Sequence, residues 1–254
     1  MKIYVVVHKK VNQKLPKNYS LIQVNALNNG KMYDCTDADY EDNISLKNPY
    51  YCELTAAYSI WKNDHENDIV GLVHYRRFFV SNRIFTSYKH FINEKRIIKD
   101  LRKYDFIATK PYTLACTNKE HLIDPVHEKD YDLLRETIKT ICPDYLNDFD
   151  TVMMDNKSYL LNMFITKKEL WNQYYEWLFK IFDAMEPKVD MTGYTDHEKR
   201  LYGFLSERLF TVYILHHHYQ VKSYPCVIIG ESKFRILRQK IAKKLKVKKY
   251  QKES

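Results

Sequence analysis

Glycine is scarce in this chain, with five residues in 254. No GxGxxG or Walker-type pattern occurs, which excludes a glycine-rich loop as the means of holding a phosphate. No apolar run approaches the roughly 20 residues that cross a bilayer. The five cysteines, Cys35, Cys52, Cys116, Cys142 and Cys226, are odd in number, widely spaced and never form CxxC. That pattern argues against a disulfide framework or a thiolate zinc site and suits reduced thiols in a cytoplasmic protein. The opening Met1-Lys-Ile-Tyr-Val-Val-Val is too short, and too soon followed by charge, for a signal peptide. There is no internal repeat.

What is present is the composition of a globular protein, 45% hydrophobic and 29% charged, long enough for one large domain. Tyrosine is abundant, at 22 residues. Aromatic richness accompanies carbohydrate stacking, and it equally fills ordinary half-buried positions. The net charge of +9 is local: residues 233–254 hold ten Lys/Arg and one Glu, so the rest of the chain is neutral. A nucleic-acid binder working through its whole surface is therefore not expected.

The organising stretch is Ile69-Val-Gly-Leu-Val-His-Tyr-Arg-Arg-Phe-Phe79. Its apolar run without periodicity reads as a strand buried on both faces. It ends in His74, Tyr75, Arg76 and Arg77. In open α/β sheets ligands sit beyond the carboxyl ends of the strands. Two adjacent guanidiniums there point to phosphate or carboxylate oxygens. The plainer reading pairs the arginines with acidic neighbours and leaves His74 in the core. The first strand, Lys2–Val7, likewise runs into His8, Lys9 and Lys10.

Further along, a second strand is expected over 20–24 and a helix from the Asn48-Pro49 cap to about residue 62. Residues 87–103 read as a helix, 105–110 as a strand, and 111–130, with His121 and His127, as a lid-like loop. A helix follows over 131–141, then a strand over 158–166 with Asn162 in its interior. Long helices are expected over 167–185 and 200–216, the second holding Glu207 and Arg208, and a last strand over 219–229. Strands alternating with helices imply an α/β domain of three layers, a mixed sheet with helices on both faces.

Three Asp-x-Asp pairs, Asp37/Asp39, Asp130/Asp132 and Asp148/Asp150, match a pattern that holds a divalent cation on a sugar-nucleotide diphosphate. None follows a buried strand, so manganese or magnesium stays open as a cofactor and no metal ligand is assigned. His74 is an alternative lone ligand. His216, His217 and His218 point in successive directions and read as structural. Residues 234–249 place Phe234, Leu237, Ile241 and Leu245 on one helical face among many lysines, a basic amphipathic helix suited to an anionic membrane surface. A solvated tail and an RNA-binding tail are the other readings.

The chain resembles a bacterial family of capsular and exopolysaccharide glycosyltransferases long catalogued only as a domain of unknown function. The resemblance rests on His8-Lys9, Asp42-Asn-Ile-Ser45, Lys47-Asn48, Cys52-Glu-Leu-Thr55, Ile60-Trp-Lys-Asn63 and Gly71-Leu-Val-His-Tyr-Arg-Arg-Phe-Phe79. It continues through Asn162-Met-Phe-Ile165, Trp177-Leu-Phe179 and Arg200-Leu-Tyr-Gly-Phe-Leu-Ser-Glu-Arg-Leu209, and covers roughly residues 1–230. It implies a nucleotide-sugar transferase with a GT-A-like, Rossmann-related domain over 1–230, some members being associated with transfer of galactofuranose or another hexose from a UDP-sugar, and the basic segment 231–254 is expected as a separate tail. The expected acceptor is a lipid-linked saccharide, and the expected location is the cytoplasmic face of the membrane. His74, Arg76 and Arg77 are assigned to the donor diphosphate, His8 and Lys9 to the nucleotide end, and Asp42 and Asn43 to the ribose or sugar. Asn162 and Arg200 are assigned to sugar or acceptor, and Glu207 to the base of an inverting transfer. The competing reading is a nucleotide-binding scaffold without turnover.

Overall fold

The computed structural model describes residues 1–81 and 87–230. The basic helix expected over 234–249 lies outside the described residues. The described strands are β1 (Lys2–Val7), β2 (Tyr19–Gln23), β3 (Ile69–His74), β4 (Arg77–Phe79), β5 (Phe106–Thr109), β6 (Tyr112–Thr113), β7 (Lys157–Ser158), β8 (Phe164–Lys167), β9 (Val221–Tyr224) and β10 (Cys226–Ile228). The helices are α1 (Ala26–Asn29), α2 (Asn48–Tyr51), α3 (Leu54–Asn63), α4 (Glu94–Asp100), α5 (Asn118–Ile123), α6 (Glu128–Ile141), α7 (Leu146–Met154), α8 (Lys168–Met185) and α9 (Leu201–His216).

The main sheet runs β2-β1-β3-β8-β5-β9. Its strands are parallel except β8, which lies antiparallel between β3 and β5. β4 turns back from the end of β3 through the His74–Arg77 pair and lies antiparallel to β10. The central strands are apolar on both sides because both sides are covered. Tyr4, Val6, Val70 and Leu72 face a core built with α3, α6, α8 and α9. Ile3, Val5 and Val73 face a second core with Phe78 and Phe79 of β4, Phe91 of the following loop and Ile97 of α4. This is the three-layer mixed α/β architecture anticipated.

Several elements differ from the sequence reading, each for a local reason. The helix expected from Asn48 to about residue 62 is two helices, broken at Cys52 with φ 53° and ψ −129°. The strand expected over 158–166 is interrupted by Leu161 and Asn162 at φ 88° and 48°, so Asn162 precedes β8 and is not inside a strand. In 87–103, Phe91 bridges to Val80, and α4 starts only after Asn93, whose side chain accepts from the Arg96 N–H at 3.1 Å. Residues 111–130 are no open lid: Thr117 and Glu120 cap α5, and buried Asn118 donates to the carbonyls of Val152, Asp155 and Lys157. The last strand is two, β9 and β10, divided at Pro225.

Gly71 of β3 is required by packing. A Cβ there would lie 2.5 Å from Ile165 Cγ1 and 3.1 Å from Ile3 Cδ1. Gly71→Ala should therefore destabilise the fold by roughly 1–3 kcal/mol through overpacking. Thermal denaturation should show a fall of several degrees in Tm, and an unchanged Tm would show that Ile165 moves aside at no cost.

Candidate active site at the carboxyl ends of two parallel strands

Register brings the polar ends of β1 and β3 together. Val6 pairs with His74, and the Tyr75 N–H donates to the Val6 carbonyl at 3.0 Å. The ring of Tyr75 then gathers three cationic or basic side chains. His8 meets it edge-on at 5.1 Å. Lys9 Nζ and the Arg76 guanidinium lie over it at 5.4 and 5.3 Å. Burial first, then the charges of Lys9 and Arg76, lower the pKa of His8. Lys9 and Arg76 are exposed. The result is a positive shelf with free donors, the electrostatic condition for drawing in an anion.

Tyr75 and Arg76 form the two-residue connection from β3 to β4, so Arg76 points to solvent while Arg77 turns inward. Arg77 Nη1 donates to His74 Nδ1 at 3.3 Å. A guanidinium only donates, so Nδ1 is the acceptor and the ring proton is assigned to Nε2. Burial and the Arg77 charge push the His74 pKa down to about 3, which keeps the imidazole neutral. A hydrogen bond between the ring and the Leu161 backbone partly opposes that fall, and Nε2 is buried 4.0 Å from Glu53 Oε1.

Glu53 reaches this point because of the break between α2 and α3. Cys52 adopts a positive φ that L-residues rarely take, at a cost of order 1–3 kcal/mol. Asn48 Nδ2 and Thr55 Oγ1 donate to the Cys52 carbonyl at 2.6 and 3.2 Å and hold the break in place. The Glu53 side chain makes no capping bond to α3. Its Oε1 instead accepts from Asn162 Nδ2 at 2.8 Å. The same Asn162 amide donates to the Gly203 carbonyl at 3.0 Å and accepts from Ser206 Oγ at 2.9 Å.

Glu207 stands on α9 beside them. Its Oε1 accepts from the Leu161 N–H at 2.9 Å and its Oε2 from Arg208 Nη1 at 3.0 Å. Arg208 is 1% exposed, and it also donates to the Phe204 carbonyl and meets His121. Side-chain exposure is 14% for Glu53 and 20% for Glu207. Burial raises the pKa of both carboxyls, and the Glu53 charge adds to the rise at Glu207; Arg77 opposes both. Arg200 Nε meets Cys52 Sγ at 3.3 Å, and its charge is felt at Glu53 and His74.

One cluster therefore gathers His8, Lys9, His74, Arg76, Arg77, Asn162, Arg200 and Glu207. Asp42 and Asn43 are spent elsewhere: Asp42 accepts from Tyr58 OH at 2.7 Å, and Asn43 ties its own turn through Tyr40, Glu41 and Ser45. Sequence reading missed Glu53, which it places inside a continuous helix starting at Asn48, and missed Tyr75 as the hub of the shelf. The Asp-x-Asp pairs do not fit a cation site. Asp37 accepts from Asn25, Ala26, Ser45 and Thr55, and Asp39 from Thr36 and Lys31. Asp130 accepts from Tyr194, Asp148 pairs with His216, and Asp150 with Arg135. His217 meets Tyr145 OH at 2.8 Å, in keeping with a structural role. Among the described residues no three His, Cys, Asp or Glu side chains are grouped to share a metal ion.

The family described as Domain of unknown function (DUF4422) matches residues 2–218. Among solved structures, the chain is similar to the apo structure of the WbbM bifunctional glycosyltransferase. The identity is 30% and the TM-score 0.82, over 91% of this chain and 45% of that one. The chain thus spans a little under half of that protein's length. No curated protein matches.

Proposed function

The chain belongs to the DUF4422 family, and on that premise we propose that it is a glycosyltransferase moving a hexose from a UDP-sugar to a saccharide acceptor. The observation that carries this reading is the adjacency of a positive shelf and a desolvated carboxylate pair at the carboxyl ends of β1 and β3. The likeness to the WbbM glycosyltransferase supports it.

In this reading Lys9, Arg76 and Arg77 receive the donor diphosphate, and His8 and Tyr75 line the nucleotide end. Their charge stabilises the leaving nucleoside diphosphate as the bond to the anomeric carbon breaks. A carboxylate of the pair removes the proton of the attacking acceptor hydroxyl, and the transfer inverts the anomeric centre. Asn162 and Arg200 border the sugar and the acceptor. The acceptor in this reading is a lipid-linked saccharide of a capsule or exopolysaccharide, presented at an anionic membrane face. That placement rests on the basic 233–254 segment. Co-sedimentation with anionic vesicles should be strong for the full chain and lost on deletion of 233–254; equal binding by both would refute it.

A panel of UDP-sugars in a thermal-shift assay tests the donor site. One UDP-sugar should stabilise the protein, and Arg76→Ala should remove most of that shift. The unliganded Tm should hardly change, since Arg76 is exposed. An Arg76→Ala variant with the full shift and full transfer would overturn the diphosphate assignment.

Activity should also carry the signature of the buried pair. The base acts unprotonated, and burial of Glu53 and Glu207 outweighs the pull of Arg77, Arg200 and Arg208. The acid limb of kcat/KM should therefore lie above the ordinary glutamate value of about 4.3. His74, neutral down to about pH 3, should add no limb near neutrality. A limb at or below the ordinary glutamate value would exclude both carboxylates as the base.

A further inference from the structure

Within the glycosyltransferase reading, on which this step rests, we propose that Glu53 rather than Glu207 is the residue that takes the acceptor's proton. Glu207 is a positioning residue.

The two carboxylates are held differently. Both Glu207 oxygens are bound by fixed donors, the Leu161 N–H and the Arg208 guanidinium. That ion pair stabilises the charged form and occupies the oxygen that would otherwise receive a proton. Its bond to Leu161 anchors a turn where Leu161 and Asn162 both carry positive φ, and that turn delivers Asn162 Nδ2 to Glu53. Glu207 therefore builds the platform on which Glu53 rests.

Glu53 has a single side-chain donor, the neutral amide of Asn162. Opposite it is the buried imidazole of His74, with Nε2 at 4.0 Å from Glu53 Oε1. The acceptor hydroxyl reaches the carboxyl where the Glu53 side chain is 14% exposed, and donates to it at an ordinary hydrogen-bond length, which leaves its oxygen lone pairs free to attack. A protonated imidazole would weaken this arrangement by placing a second cation against the carboxylate; Arg77 on Nδ1 and burial hold His74 neutral.

The step balances. The acceptor O–H proton passes to Glu53, and the acceptor oxygen forms its bond to the anomeric carbon. The bond from that carbon to the diphosphate oxygen breaks, and its electron pair leaves with UDP against Lys9, Arg76 and Arg77. Glu53 returns the proton to water after product release.

The test compares the full-length wild type, Glu53→Gln and Glu207→Gln. Water is the acceptor, UDP-glucose, UDP-galactose and UDP-galactofuranose are the donors, and released UDP is followed. Glu53→Gln keeps an oxygen for Asn162 and should keep the UDP-induced thermal shift and the donor KM, while kcat falls about 10²–10⁴-fold. Azide carries no proton to lose, so adding it should restore UDP release in Glu53→Gln. In Glu207→Gln azide should change nothing, and the loss should appear mainly in Tm. Wild-type turnover by Glu53→Gln, a loss that azide does not restore, or rescue confined to Glu207→Gln would each overturn the assignment while leaving the transferase reading intact. A wild type that neither binds UDP nor releases it from any of these donors would overturn the transferase reading itself, and this inference with it.

Discussion

Two carboxylates held side by side out of water are the feature on which the rest of the site depends. Desolvation disfavours the ionised forms of Glu53 and Glu207, and the Glu53 charge adds to the effect at Glu207. Such a pair persists only where the surrounding structure supplies donors and positive charge. Here those are the Leu161 N–H, the Asn162 amide, the buried Arg208 and the nearby Arg77 and Arg200. The cost is met by the fold as a whole, and what it secures is a base whose proton affinity is raised toward neutral pH.

The donors are delivered by strained backbone. In a chain with five glycines, the positive-φ positions around the site are Cys52, Leu161 and Asn162. A glycine would adopt those conformations more easily, and would also let the chain leave them more easily. Side chains that carry contacts of their own lock the turns: Cys52 touches Arg200 and packs against Gly203, and Asn162 spans Glu53, Gly203 and Ser206. Strain of this kind concentrates at functional sites because geometry there is held against local preference.

The anionic end of the site is built by simpler means. Parallel pairing of β1 and β3 sets Val6 beside His74, so two runs of basic residues emerge together. One tyrosine ring then spaces His8, Lys9 and Arg76. The shelf needs no glycine-rich loop and none of the Asp-x-Asp pairs, whose carboxylates are committed to turns, caps and ion pairs. A diphosphate meets guanidinium and ammonium groups directly, beside a carboxylate pair placed for an acceptor hydroxyl.

The sequence by itself determined the layered α/β class, because runs such as Lys2–Val7 and Ile69–His74 are too apolar to have an exposed face. It also determined the basic ends of those strands, since the charges follow the runs immediately in the chain. Those signals are local, so they are legible without a fold. Glu53 was not legible: its place depends on a helix break at Cys52 that no glycine or proline marks. Nor was the split between the carboxylates, because Arg208, His74 and Asn162 reach them from three separate elements. Asp42 and Asn43 show the converse, polar residues with a suggestive pattern that Tyr58 of α3 and a local turn engage. Only the tertiary structure could decide these points, since each depends on which distant groups share a desolvated volume.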